Sequence, residues 1–328
     1  MLEQLVTDLR DALGIAYKQD IQVAAQAIGQ WTRCPQFHTQ PEAVIHLGDD
    51  CAAIPDGDTF LLLAAEGMWP QLVETEPWFA GWCSVLVNVS DIYAMGGRPI
   101  AVVDALWSPS PAVAKPLWDG MIAASKAFDV PIVGGHTNGH SPYHALSVAI
   151  LGRATQLITS FKAQPDDHLL LVTDLRGNAH PKYPFWDAAT KADPKQLQAN
   201  LALLPHLAEC GLCDAGKDIS MGGMIGTTLM LLEASGCGAV LHGDRIPKPP
   251  ELSLKQWLLS FPSYGFLLSI RPQYVDAVQQ LFSAHDLVSA VIGHVQSGSE
   301  LRLTWNKEST VFWDLKHKPL TGFSPLLT

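Results

Sequence analysis

Positive charge is scarce in this chain. Its 328 residues hold 21 Lys and Arg against 32 Asp and Glu, a formal net charge of −11. No basic run is longer than a couple of residues, which argues against a nucleic-acid or anionic-membrane partner. Long apolar runs are missing too, since no stretch reaches the roughly 18 apolar residues that a membrane helix needs. The first residues, MLEQLVTDLRDALG, place acids among the apolar side chains, where a secretory leader would have a basic start and an unbroken apolar core. A cytoplasmic protein is therefore expected. Six cysteines in so long a chain make no disulfide framework. Cys210 and Cys213 form one CxxC, with His206 a helical turn earlier, but no second ligand pair follows, so buried or half-exposed thiols are expected. No low-complexity tract or short-period repeat is present.

Apolar residues are plentiful at 48%, enough for one large or two medium cores. Residues 2 to 30 have helical spacing, with Leu2, Leu5, Val6, Leu9 and Leu13 on one stripe. IHLGDDCAAIP and TFLLLAAEGMW read as strands joined by the turn PDGD at 55 to 58. Glu76 to Met95 reads as a helix: Thr75 can cap it, Pro77 suits its first turn, Gly96 or Gly97 its end, and Pro99 lies beyond. A strand (IAVVDALW), a helix (111 to 128), a strand-to-loop segment (VPIVGGHTNG) and a long strand (HALSVAILGRA) follow. A new unit opens with FKAQPDDHLLLVTDLRG, which places a boundary near 156 to 165. Beyond it lie the glycine-rich segment 218 to 241, the strand-like YGFLLSI and a helix from about 272 to 284. The alternation predicts an α+β or α/β fold of two domains, 1–158 and 159–328.

Four polar punctuations end apolar runs in the first half: Gly48-Asp49-Asp50, Glu66, Asp91 and Gly134-Gly135-His136-Thr137. Carboxylates at such positions suit a hard cation such as Mg²⁺, and glycines let backbone N–H groups approach phosphates. Taken singly, each is a weak signal: adjacent aspartates usually mark a turn, and a glycine pair after a strand is common. Asp91 lies near a helix C-terminus, where negative charge meets the negative end of the dipole. Asn88 and Met95 share its face. Either a cation meets Asp91, or it bonds the glycine turn or pairs with Arg98. His140 and His144 follow the glycine turn as solvated loop residues or phosphate contacts. Phe185 and Trp186, in HPKYPFWD, are candidates for a pocket wall or for packing.

In order, GDDCAAI, NVSDIYAMGGRP, IVGGHT, LGRA with FKAQPDDHLLLVTDLRG, and KDISMGGMIGTTLMLLEASGCGA resemble motifs of the aminoimidazole ribonucleotide synthetase (PurM-like) superfamily. The resemblance covers about 45 to 290, and an AIR synthase-related subgroup is the nearest branch. The superfamily includes thiamine-monophosphate kinase, selenophosphate synthetase and a hydrogenase-maturation dehydratase. It implies two α/β domains and a homodimer whose N-terminal sheets pair into a β-barrel. ATP and Mg²⁺ would lie near that interface, with phosphoryl transfer to a small substrate, or its activation, as the chemistry.

Carried over by position, the resemblance implies that Asp49, Asp50, Glu66, Asp91 and Asp218 are metal ligands. Asn88, Gly134, Gly135, Arg153, Asp218 and Ser220 would contact nucleotide, and Asp50, Asp91 and His136 would serve the chemistry. The kinase branch's threonine-aspartate pair is Ala65-Glu66 here, the aspartate of its GGDT is His136, and the one after its DLS is Met221. Imidazole and thioether are poor ligands for a hard cation, so fewer metal ions and a reaction other than thiamine-monophosphate phosphorylation are expected. The segment PSYGFLL at 262 to 268 departs from the kinase pattern as well. Cys34 lacks the glycine-rich setting of the selenium branch's nucleophile. A partner protein that binds ATP or a metabolite without turnover, a thiamine-monophosphate kinase-like enzyme, which these departures disfavour, and a metal-dependent hydrolase are the other readings.

Overall fold

The computed structural model describes residues 2–29, 45–262 and 265–324. The chain opens with helices α1 (Leu2–Arg10) and α2 (Leu13–Gly29), then runs through β1 (Ala52–Asp56), β2 (Thr59–Gly67), α3 (Pro70–Thr75), α4 (Pro77–Ala94), β3 (Arg98–Trp107), α5 (Pro111–Phe128), β4 (Ile132–Asn138) and β5 (Ala145–Ala154). The second half contains β6 (His168–Thr173), β7 (Asn178–Ala179), β8 (Phe185–Asp187), α6 (Pro194–Leu201), α7 (Leu203–Glu209), β9 (Ala215–Asp218), α8 (Gly223–Ser235) and β10 (Gly238–His242). It ends with α9 (Leu254–Leu259), β11 (Phe261–Pro262), β12 (Gly265–Ile270), α10 (Val275–Ser283), β13 (Val288–Gln296), β14 (Glu300–Trp305) and β15 (Glu308–Asp314). The first-half strands form a five-stranded sheet, β1-β2-β5-β3-β4, and the second half a seven-stranded sheet, β15-β14-β10-β13-β6-β12-β9. Both sheets are mixed, with β3–β4 and β10–β14 parallel. This is a two-part mixed α/β fold. Among the described residues no helix is long and apolar enough to cross a membrane.

Helix α4 is apolar all round, and such a helix must be buried on every side. It packs against α5, strands β2, β3 and β5, and also β9 of the second sheet, so every residue from Ala80 to Ile92 is buried. Its closest neighbour is α5, where a Cβ on Gly120 would stand 2.0 Å from the Trp78 carbonyl oxygen. Pro77 occupies the first turn and Gly96, at φ 73°, follows the last, as the sequence predicts. Thr75 does not cap α4. It ends α3 instead, its hydroxyl donating to the Gln71 carbonyl at 2.8 Å, and Glu76 occupies the cap position without a side-chain capping bond, its carboxylate pairing with Lys182.

Residues before Ala52 leave the β1–β2 ladder, so the strand expected across IHLGDDCAAIP is reduced to Ala52–Asp56. Gly48 adopts φ 99°, and a Cβ there would lie 2.5 Å from Phe323, which favours glycine twice over. Trp186 is core rather than pocket wall: its indole N–H donates to the Asp174 carbonyl at 2.8 Å and its ring meets Trp257 edge-on. Phe185 belongs to an aromatic group with Phe79, Tyr183 and Phe261.

Sequence order assigns α1 and α2 to the first domain, but the apolar face of α1 and Ile15 of α2 are buried in the second. Leu2, Val6, Leu9 and Ile15 join the core formed by α8, β10, β14 and β15, whereas Leu13 is 69% exposed. Arg10 fixes α1 by donating to the Phe312 and Val311 carbonyls at 2.7 and 2.8 Å. The C-terminal tail is held by one buried carboxylate on α8. Glu233 accepts from the Leu320, Thr321 and Gly322 backbone N–H groups at 2.9, 2.7 and 3.2 Å and from the Thr321 hydroxyl at 2.6 Å. Replacing it by Ala leaves those donors unpaired. Glu233→Ala is expected to lower the unfolding free energy by about 2–4 kcal/mol, read from the urea midpoint; a change below about 0.5 kcal/mol would show that the tail is not held this way.

Candidate functional site

Three segments distant in sequence meet where the two sheets face each other across α4. The loop before β1 brings Asp50, α4 brings Asp91, and the end of β9 brings Asp218. One carboxylate oxygen of each lies within 4.8 Å of the others, and Asp91 and Asp218 are buried. Like charges at that separation repel by roughly 3 kcal/mol per pair at an effective dielectric of about 20. One buried cation offsets part of this. Lys217, beside Asp218 on β9, donates to Asp50 Oδ1, while the Asp218 backbone N–H donates to Asp50 Oδ2 at 3.1 Å. Burial works against the Lys217 ammonium, but Asp50, Asp49 and Asp218 outweigh it and hold it protonated.

The remaining negative charge shows in the titration of the acids. Burial, then the charges of Asp218, Glu66 and Asp50, push the Asp91 carboxyl well above the ordinary range. Burial, then Asp50, does the same to Asp218. Asp91 Oδ2 is buried with no hydrogen-bond partner among the described residues, and so is Asn88 Oδ1, one helical turn back on the same face. Asn88 donates one amide N–H to the Ser84 carbonyl at 2.8 Å, and its Oδ1 has no donor. Ser220 Oγ, two residues past Asp218, is likewise without a partner. Carboxylate, amide and hydroxyl oxygens gathered in this way suit a hard divalent cation.

Other expected residues lie elsewhere. Asp49 faces away from the three acids: Ser160 donates to it through its hydroxyl at 2.6 Å and its backbone N–H at 2.9 Å, tying the loop to the inter-sheet connection. Burial raises its carboxyl to about 6. Glu66 is exposed at the rim, close enough to act on Asp50 and Asp91 through space. Arg153 pairs with Asp56 at 3.0 Å, opposite Leu61 and five residues along β2 from Glu66, so it does not reach the acids. Arg98, the alternative partner for Asp91, forms a two-pronged pair with Glu209 instead.

Gly134, Gly135 and His136 are on the exposed edge strand β4. The register row Glu66–Val148–Asp104–Gly135 separates them from the rim by three strand spacings, about 14 Å. A Cβ on Gly135 would meet the Asp104 carboxylate. Met221 packs beside Gly14 of α2, not among the acids. His140 and His144 lie in the loop after β4. Cys210 is exposed with its sulfur 3.7 Å from a His206 ring nitrogen, whereas Cys213 is buried and donates to the Ala215 carbonyl, so the CxxC pair is split. Cys34 and residues 263–264 fall outside the described residues. Lys217 escaped the sequence reading, although a lysine beside an aspartate at the end of a buried strand is an available signal.

A cavity of about 530 Å³ opens beside the end of β6, lined among others by Asp174, Arg176, His180, Asp187 and Lys191. Strands β6 and β9 flank β12, with Thr173 opposite Gly265 and Asp218 opposite Phe266, so cavity and acids lie at the same end of the second sheet.

Two family models cover most of the chain: AIR synthase related protein, N-terminal domain, over residues 48–154, and its C-terminal domain over 164–306. The chain belongs to the AIR synthase related family. An uncharacterized protein of Synechocystis sp. is 59% identical over 99% of both chains. Among solved structures, T. maritima PurL complexed with ATP matches with a TM-score of 0.72 and 19% identity, over 93% of this chain and 52% of that one. AaThiL complexed with AMPPCP and TMP matches at 0.65 and 17%, over 89% and 96%. The chain thus spans about half the length of that PurL. These likenesses establish a PurM-like fold.

The raised carboxyls set a sign for pH. Native Asp49, Asp91 and Asp218 keep protons that the unfolded chain releases near pH 4, so the native state binds more protons and stability falls as pH rises from about 4 toward 7 and beyond. Without added metal, Asp91→Asn should flatten that fall and raise the unfolding free energy at pH 8 by about 0.5–2 kcal/mol. A destabilised variant with an unchanged pH slope would contradict the cluster's electrostatics.

Proposed function

We propose that the chain uses MgATP to phosphorylate, or to activate by phosphorylation, an oxygen atom of a small molecule such as an amide. The observation that carries this reading is the buried, donor-free Asp91 Oδ2 inside a three-carboxylate cluster. Solved proteins of the same fold hold ATP or AMPPCP. Asp50, Asp91 and Asp218 would hold the Mg²⁺, with Glu66 at the rim. When bound, the ion would neutralise phosphate charge and orient the reacting phosphoryl group. Ser220 and Asn88 would add polar contacts. Because Lys217 already supplies one fixed positive charge, and His136 and Met221 replace carboxylates, one ion is favoured over several. Positioning and charge carry most of phosphoryl transfer, so no general base among these residues is required. The cavity at the end of β6 would take the body of the acceptor.

A homodimer belongs to the same proposal. Leu63, Leu151 and Val103 lie on the face of the first sheet not covered by α4 and α5, at 46%, 37% and 41% exposure. A contiguous apolar sheet face of this kind calls for a partner, and pairing it with a second copy would make the expected barrel. Gly134, Gly135 and His136 would then join the acids only across that interface.

Asp91→Asn is expected to weaken MgATP binding at least tenfold in calorimetry, and wild-type protein to release ADP or phosphate when the right amide or amine acceptor is added. An unchanged dissociation constant would remove Asp91 from the site. Binding without turnover across a broad acceptor panel would favour a nucleotide-binding partner protein, and absence of MgATP binding would reject the proposal. Light scattering should give twice the 35.5 kDa chain mass for wild type and a monomer for Leu151→Asp; a wild-type monomer would reject the dimer.

A further inference from the structure

We propose that Lys18, on α2, grips the terminal phosphate oxygens of the anion bound at the acid cluster, and that α2 is built into the second half to deliver it. The inference rests on the MgATP reading above and adds a residue outside both family-matched segments.

Helix α2 is fixed from both ends of one face. At its start Gly14 seats directly on the chain leading into α8: a Cβ there would stand 2.8 Å from the Gly222 nitrogen and 2.9 Å from its Cα. Ile15 is fully buried against Gly226 of α8. Two turns on, the Gln22 side-chain amide donates to the Pro319 and Leu320 carbonyls at 2.8 and 3.0 Å, gripping the tail that Glu233 holds. Lys18 stands four residues after Gly14 and four before Gln22, so all three share a face. At its start that face lies against Gly222, four residues past Asp218, where the chain enters α8.

The half-buried Lys18 ammonium feels Glu66, Asp218 and Asp50 as attractive charges and Lys217 as a repulsive one. Burial, the largest influence, and Lys217 lower its proton affinity, and the acids oppose them. Yet among the described residues Lys18 makes no ion pair, whereas Lys217 is paired directly to Asp50. The cation is thus within electrostatic reach of the acids without being committed to any of them. A phosphate bridging the metal and Lys18 would satisfy both, and the helix dipole at the start of α8 adds to the same attraction. A lysine so placed favours the ligand with more terminal phosphate charge, that is, a nucleoside triphosphate over a diphosphate.

The test is calorimetric titration of wild type, Lys18→Ala and Lys18→Arg with Mg-AMPPCP, MgADP and Mg²⁺ alone. Lys18→Ala should lose tenfold or more in affinity for Mg-AMPPCP and less than threefold for MgADP. It should bind Mg²⁺ alone as tightly as wild type or more tightly, because a nearby positive charge is gone. Lys18→Arg should recover most of the triphosphate affinity. Equal losses for both nucleotides, or weakened Mg²⁺ binding together with a lowered unfolding midpoint, would assign Lys18 a structural role and overturn the inference. So would unchanged triphosphate binding in Lys18→Ala. If wild type binds neither nucleotide, the MgATP reading fails and this inference with it; if wild type binds and the variant binds equally, only this inference fails.

Discussion

The mutual repulsion of Asp50, Asp91 and Asp218, held together against it by the packing of two sheets on α4, is the constraint around which the rest of the molecule is arranged. Folding alone would not assemble three carboxylates within 4.8 Å with, among the described residues, one ammonium paired to them, that of Lys217 on Asp50. The cost is met by the cores on either side, which bury α4 on every side and carry β9 to meet it. Such stored electrostatic strain is the usual mark of a site meant to be completed by a ligand.

Other features serve the same junction. Asp49, tied to Ser160, sets the approach of the loop carrying Asp50. The tail, held on Glu233, brings Phe323 against Gly48 on the other side of that loop. Helix α2, gripping the tail through Gln22, closes the circle with Lys18. Helix α2 thus grips the tail whose Phe323 packs on a loop that belongs, by sequence, to neither end.

Much of this was legible in the sequence, and the boundary follows from physics. Local signals located α4 almost to the residue, because Pro77 and Gly96 act through backbone geometry within one turn. They also found the β1–β2 turn and placed acids at the ends of apolar runs. Motif order supplied the family and the candidacy of Asp50, Asp91 and Asp218. What local signals could not supply were pairings across long loops: Lys217 lies 167 residues from Asp50, and Ser160 lies 111 from Asp49. Nor could they show that α1 buries its stripe in the second core, since amphipathicity says that a helix packs, not where. The resemblance implies nucleotide contacts for the motif glycines of β4 and for Arg153, but strand register places them apart from the acids within one chain.

The central claim is that a hard divalent cation completes the three-carboxylate cluster and joins it to a nucleotide. A crystal structure grown with Mn²⁺ and AMPPCP, with an anomalous difference map at the manganese edge, tests it most directly. The account predicts a peak bonded to Asp91 Oδ2 and Asp218 and to a phosphate oxygen of the analogue. Nucleotide bound at another place, or a cluster free of anomalous signal with Asp91 Oδ2 bonded to a protein donor, would contradict it.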